Sequence, residues 1–213
     1  MADNCTDRTV EIASGIPGVT VIETVGNAHR KPGALNAAWR LLRGRVHYMA
    51  RIDADTILRP AAVGQWVEQM VREPQTAGIS ARFTMQSDPA NAPAQNVWAR
   101  LQKAEFARWT DTALNRGGHT TVLAGTACML RMFALEAVHE SRVINGVGSG
   151  PWSYSSQVED FELTYRLRIL GFHTKVSYTV RAYTDATVDV RALWAQRMKW
   201  QVGTPSRTSW RSA

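Results

Sequence analysis

Several groups of residues along this chain have the types and spacing to do chemistry together. Asp53-Ala54-Asp55 directly follows the strand-like run Met49 to Ile52. Two carboxylates at a strand end can share a hard divalent cation, with diphosphate oxygens and water filling the remaining positions. The same spacing also describes an acidic turn before a helix at Pro60, with Asp55 or Thr56 as its cap. Glu159-Asp160 opens a helical pattern, and Ser156-x-x-Glu159 has the spacing of a capping box. Asp160 then either favours the positive helix end or stands ready to take a proton from a hydroxyl. Gln196, Lys199 and Trp200 recur at i, i+3, i+4 and share one helix face. A cation beside a broad aromatic suits a diphosphate next to a sugar ring. An amphipathic helix that packs its aromatic inward, or lays it on a membrane interface, gives the same pattern. Lys31 lies at a helix start after a turn and either meets an anion there or is solvated. His29 has no partner visible in the sequence and is read as structural or solvent-exposed.

The elements that must position these residues alternate between strand-like and helix-like periods. Val19 to Val25 is β-branched and ends at Gly26. A helix starts near Pro32, runs through Leu35, Trp39 and Leu42, and stops at Gly44. Val46 to Ile52 reads as a buried strand. A helix from Pro60 carries Val63, Trp66, Val67 and Met70, and Gly78 to Met85 reads as strand. Gln86 to Pro93 is a polar turn region, followed by a helix over Ala94 to Leu114 that stops at Gly117-Gly118. Thr121 to Arg131 is extended and buried. The Gly- and Ser-rich stretch from Asn145 to Ser156 is a candidate mobile lid or acceptor loop. A helix over Gln157 to Leu170, a strand over His173 to Tyr183 and an amphipathic helix over Val188 to Val202 complete the pattern. Alternating strands and helices predict an α/β layered fold with a mostly parallel sheet. They predict one domain over residues 1–203 and a tail over 204–213. Asp3 and the Asp53/Asp55 pair fall at strand ends, where such folds bind ligands.

The bulk properties narrow the class. The chain has 213 residues, 45% of them apolar, enough for a self-sufficient core. Its +7 charge favours an anionic partner. Nucleic acid is not expected, because the basic residues are scattered and no basic–aromatic recognition motif occurs. Cys5 and Cys128 lack metal-ligand spacing and read as free thiols in a reducing compartment. No signal peptide is visible, and no run has the ~18 apolar residues of a membrane span.

Taken as an ordered set, these segments resemble the family 2 glycosyltransferases of the GT-A fold, a three-layer α/β/α nucleotide-sugar transferase architecture. They are most similar to the branch containing cellulose, chitin, hyaluronan and poly-N-acetylglucosamine synthases. The resemblance runs from residue 2 to about residue 203. Ala2-Asp3-Asn4-Cys5-Thr6-Asp7 resembles the segment whose acidic residue reads the nucleotide base, which implies that role for Asp3. Lys31-Pro32-Gly33-Ala34-Leu35-Asn36 resembles the family's Lys-x-x-Ala-Leu-Asn segment and places Lys31 on the donor side. Asp53-Ala54-Asp55 resembles the metal-binding DxD motif, with Asp55 the implied direct ligand of Mg²⁺ or Mn²⁺. The segment from Leu123 to Arg131 resembles the acceptor-side strand, with Gly125 and Thr126 near the acceptor sugar. The segment from Val158 to Phe172 resembles the family's Glu-Asp segment. Asp160 is then the implied base and Glu159 an acceptor-side neighbour. Gln196-Arg197-Met198-Lys199-Trp200 resembles Gln-x-x-Arg-Trp. This implies Gln196 on the donor, Lys199 on the departing diphosphate and Trp200 stacked on the acceptor sugar.

The resemblance implies an inverting, metal-dependent transfer from a UDP-sugar to a saccharide or other hydroxyl acceptor. It also implies departures. The family's first strand, expected before Asp3, is missing, as are the transmembrane helices that flank processive members. Lys199 stands in place of Arg and loses the bidentate fork. Val158 stands in place of Thr. A cytoplasmic location is expected, with peripheral membrane contact through residues 189–202. The competing expectation is a non-catalytic nucleotide-sugar-binding remnant.

Overall fold

A computed structural model describes residues 1–86 and 96–203. The expected polar turn after Gln86 and the first residues of the Ala94 helix lie largely outside that range. In chain order the elements are β1 (Ala2–Asp3), α1 (Thr9–Ser14), β2 (Glu23–Thr24), α2 (Arg30–Leu42), β3 (Tyr48–Ile52), β4 (Ile57–Leu58) and α3 (Ala62–Arg72). There follow β5 (Thr76–Met85), α4 (Val97–Leu114), β6 (Ala127–Arg131), α5 (Met132–Ile144), α6 (Glu159–Ile169), β7 (His173–Thr184) and α7 (Val190–Gly203).

Two sheets form. β1 and β2 pair in parallel, and a five-stranded sheet has the order β3-β6-β5-β7-β4. The α/β class holds, but the mostly parallel pairing does not. In the larger sheet only β5 and β7 pair in parallel; β3–β6, β5–β6 and β4–β7 are antiparallel. β3, β5 and β7 do run in one direction. The reversed β6 inserts between β3 and β5, so each meets an antiparallel neighbour.

Period-two alternation explains how one sheet carries two cores. Along β6, Cys128 and Leu130 face a cluster with Trp39 of α2, Leu135 and Val138 of α5, Trp152, and Leu163 and Leu167 of α6. Ala127 and Met129 face the opposite cluster, built on Ala62, Trp66 and Met70 of α3. The indole N–H groups of Trp39, Trp66 and Trp152 find no hydrogen-bond partner among the described residues. Burying about 200 Å² of each ring contributes on the order of 5 kcal/mol. That outweighs the roughly 1–3 kcal/mol cost of an unmet donor.

Four local expectations are corrected. The Val19 to Val25 strand shrinks to Glu23–Thr24, leaving Val25 93% exposed. Only Ala127–Arg131 of the extended Thr121 to Arg131 segment is strand. α6 begins at Glu159 rather than Gln157, and Val158 caps it without a side-chain hydrogen bond. Ser156 Oγ instead accepts from the Val158 N–H at 3.2 Å, so Glu159 has no capping task. The stretch proposed as a lid is tied down at its centre. Asn36 Nδ2 donates to the Trp152 carbonyl at 2.8 Å, and its Oδ1 accepts from the Trp152 N–H at 3.1 Å. Gly150 N–H donates to His139 Nδ1 at 2.9 Å.

Candidate functional site

The carboxyl ends of β3, β5 and β7 open on a cavity of about 1040 Å³. Because β6 is reversed, the residues just before it, Gly125 and Thr126, reach the same edge. The first turns of α2 and α6 and one face of α7 complete the wall. Lys31, Asp53, Asp55, Gly125, Thr126, Glu159, Asp160, Gln196, Lys199 and Trp200 all line it. Residues separated by more than a hundred positions thus share one space.

Asp3 is the exception. It is not among the lining residues. Its Oδ1 accepts from the Thr24 hydroxyl and, at 2.7 Å, from Asn27 Nδ2, which also donates to the Arg30 carbonyl at 2.7 Å. Asp3 therefore fixes the turn that delivers Lys31.

Arg51 organises the floor of the cavity. Its side chain is 3% exposed, and Nη2 lies 2.9 Å from Glu159 Oε1. Lys31 Nζ sits 2.5 Å from Asp53 Oδ1 and 3.6 Å from Glu159. Burial pushes the Glu159 carboxyl up, but Arg51 and Lys31 outweigh it and hold the group below its ordinary value. Asp160 behaves oppositely. Burial raises its carboxyl, and the adjacent Glu159 charge raises it further, against the lowering by Arg51. Asp160 Oδ2 accepts from the Gly125 N–H at 3.2 Å and Oδ1 from the Phe161 N–H at 2.8 Å. Two adjacent carboxylates are thus driven apart, one kept ionised and one kept basic, which is how acid–base roles separate.

Asp53 and Asp55 suit a hard cation. Asp53 N–H donates to the Thr126 carbonyl at 2.8 Å, and Asp55 Oδ1 accepts from Thr56 and Thr184 hydroxyls at 3.1 and 3.3 Å. Neither Asp55 nor Thr56 caps α3, whose first flanking residue is Ala61. Among the described residues no cluster of three or more His, Cys, Asp or Glu could hold a metal. Asp53 and Asp55 are the two carboxylates that could hold a divalent cation here, with diphosphate oxygens and water needed for the remaining positions.

Sequence reasoning missed several lining or supporting groups. Arg51 carried a signal: it is two residues before Asp53, hence on the same strand face, and a charge within a buried strand needs a partner. His29, read as structural or solvent-exposed, is exposed, and it also lines the cavity and stacks on Tyr154 at 4.2 Å, with Arg40 donating to the Tyr154 hydroxyl at 2.7 Å. Phe83, Phe106 and Trp109 form an aromatic wall, with Phe83 4.6 Å from Phe106 and 5.7 Å from Trp109. Those contacts are tertiary and leave no mark in local spacing. Arg197 pairs with Glu105 at 2.5 Å and stacks on Phe106 and Trp200. Of the basic residues expected to face a membrane, Arg197 packs on Phe106 and Trp200 and Lys199 lines the cavity, and Arg191, Trp194 and Lys199 are exposed. Among the described residues no helix is long and apolar enough to cross a membrane.

The cavity lies at the carboxyl edge of a mixed α/β sheet, beside a strand-end carboxylate pair, as in the GT-A fold. The sequence pattern of "Glycosyl transferase family group 2" matches residues 48–212, and the chain belongs to that family. Among solved structures it is similar to "Mannosyltransferase PcManGT from Pyrobaculum calidifontis in complex with GDP-Man and Mn2+", with a TM-score of 0.55 and 15% identity. The match covers 86% of this chain and 44% of that one, so this chain spans less than half the mannosyltransferase. No curated protein matches the chain.

Gly125 gives this site a sharp test. A Cβ there would lie 2.3 Å from Arg51 Nη2 and 2.9 Å from Asp160 Oδ2. Gly125→Ala must displace both groups, and a displacement of about 1 Å at a reacting group costs on the order of 10²-fold in rate. Sugar transfer is expected to fall by about that factor, and the thermal melt to fall with it, because Arg51 is buried in its pair with Glu159. A variant that melts normally and transfers at the wild-type rate would show that the packing around Asp160 does not matter.

Proposed function

We propose that the chain is an inverting, metal-dependent glycosyltransferase that moves a sugar from a nucleoside diphosphate donor, most consistently UDP-linked, to a saccharide hydroxyl. The observation that supports this best is the placement of a half-buried Asp160, its carboxyl raised, in one cavity with the Asp53/Asp55 pair. Asp160 takes the proton from the acceptor hydroxyl. The acceptor oxygen bonds to the anomeric carbon as the carbon–oxygen bond to the diphosphate breaks, and that electron pair leaves with the diphosphate. One such displacement inverts the anomeric centre. A divalent cation held by Asp53 and Asp55 would neutralise charge on the leaving diphosphate. Lys199 adds a positive charge at the same place. Gln196 lies beside it, its Oε1 buried and without a partner among the described residues. Trp200, with Gly125 and Thr126, forms the acceptor side. A role within the polymer-synthase branch belongs to the same proposal, as does peripheral membrane contact through Arg191 and Trp194.

Calorimetric titration of UDP and of GDP, with and without Mn²⁺, tests the donor site. Binding is expected to need Mn²⁺ and to weaken about ten-fold or more in Asp55→Asn. The GDP arm is included because the similar mannosyltransferase carries GDP-Man. A folded protein that binds neither nucleotide with Mn²⁺ overturns the proposal. Binding without turnover on any sugar donor would instead favour a non-catalytic nucleotide-sugar-binding protein.

A further inference from the structure

We propose that Lys31 is a built-in competitor of the divalent cation at Asp53 and, once displaced, becomes a ligand of the donor diphosphate. This rests on the proposed donor site and goes beyond it by giving one residue two opposed effects. Lys31 Nζ lies 2.5 Å from Asp53 Oδ1, so it occupies a carboxylate oxygen that a cation would coordinate. The Asp53 carboxylate has lone pairs for both, but two cations on it repel, so each weakens the other's hold.

Three features show that the lysine is free to leave. Its side chain is 42% exposed and ends a flexible four-carbon stem. Its other carboxylate, Glu159 at 3.6 Å, keeps the nearer cation Arg51 at 2.9 Å when Lys31 leaves. Its place in the fold is also costly for helix formation. Lys31 stands in the first turn of α2, which has no acidic residue, so its charge opposes the helix dipole. The preceding Arg30 adopts φ of +50°, a left-handed conformation uncommon outside glycine. The chain thus accepts local strain to bring a cation to this cavity edge, close to where a diphosphate bridged to Asp53 would lie.

The exchange predicts opposite signs in one variant. In Lys31→Met, Mn²⁺ alone is expected to bind about 3-fold more tightly, the scale of a partly exposed ion pair. UDP in saturating Mn²⁺ is expected to bind about 10-fold more weakly, the scale of a charge-assisted hydrogen bond. Lys31→Arg keeps the competing charge and is expected to leave the Mn²⁺ affinity close to wild type. Lys199→Met removes the same charge from the same cavity and is expected to leave Mn²⁺ alone unchanged. Manganese titration followed by magnetic resonance of the free ion, paired with UDP calorimetry, reads both effects. Loss of UDP affinity with no gain for Mn²⁺ would reduce Lys31 to a simple diphosphate contact and overturn the exchange. An equal Mn²⁺ gain in Lys199→Met would overturn it too, by showing only a general charge effect. Wild-type protein that binds neither Mn²⁺ nor UDP would instead sink the donor-site reading, and the exchange with it.

Discussion

Asp160→Asn is expected to lower sugar transfer by about 10³-fold while UDP binding in Mn²⁺ stays within about two-fold. The asymmetry follows from position. Asp160 lines the cavity and accepts its hydrogen bonds from Gly125 and Phe161, whereas the Asp53/Asp55 pair is the candidate metal site. Asparagine keeps the shape and one acceptor but cannot take a proton. Losing only transition-state help lowers kcat and kcat/KM together, which separates a base from a donor contact. The pH profile gives a second reading of the same assignment. Burial and the Glu159 charge raise the Asp160 carboxyl, so the acid limb of kcat/KM is expected above the ordinary carboxylate range. Glu159→Gln removes the like charge and leaves Arg51 to act on Asp160, so the limb moves to lower pH. A limb that stays in place would assign the base elsewhere. Wild-type transfer by Asp160→Asn would do the same.

The sequence revealed unequal amounts of this. Where glycine punctuates a periodic run, the elements were legible: Gly44 follows α2 by two residues, and Gly171 ends α6. α5 was not seen, because β6 passes straight into it at Arg131–Met132 with no glycine, proline or asparagine between them. Its apolar positions Met132, Leu135 and Val138 have helical spacing and were the available signal. The insertion of β6 between β3 and β5 could not be read, since strand order depends on pairing between distant segments. At the site, each motif alone admitted a structural explanation, and for Glu159 the capping explanation was the stronger. Arg51 and Lys31 turn that residue into the cavity instead. Local spacing can propose a cap, but it cannot show that two cations from β3 and α2 compete for the same carboxylate. Asp3 is the reverse case. Its carboxylate meets Asn27 and Thr24 rather than the cavity, so its contribution passes through the turn that carries Lys31.

The largest stability effect is expected not at the cavity but behind α6, in Arg142→Met. Arg142 and Glu162 pair with each side chain only 3% exposed. Arg142 Nε also donates to the Pro151 carbonyl at 3.3 Å, and Arg166 Nε donates to the other Glu162 oxygen at 3.0 Å. A buried pair adds little over a hydrophobic replacement of both partners, but removing one partner strands the other at roughly 3–5 kcal/mol. Arg166 still compensates part of the Glu162 charge, which places the loss near the lower end, about 3 kcal/mol. At roughly 2–4 °C per kcal/mol for a chain of this size, the melting temperature should fall by about 6–12 °C. The damage should spread in one direction. Arg142 anchors Pro151, beside the Gly150 and Trp152 amides held by His139 and Asn36, while Glu162 lies two residues beyond Asp160 in α6. Hydrogen exchange at the Gly150 and Trp152 amides is therefore expected to speed up more than at β6, since local opening needs only those tethers to release. Replacing Glu162 by Met in the same chain should return part of the lost stability, because the stranded charge goes with it. An unchanged melt in the single variant would mean that Arg166 alone satisfies Glu162, and that Arg142 does not hold the 150–152 segment against the site helix.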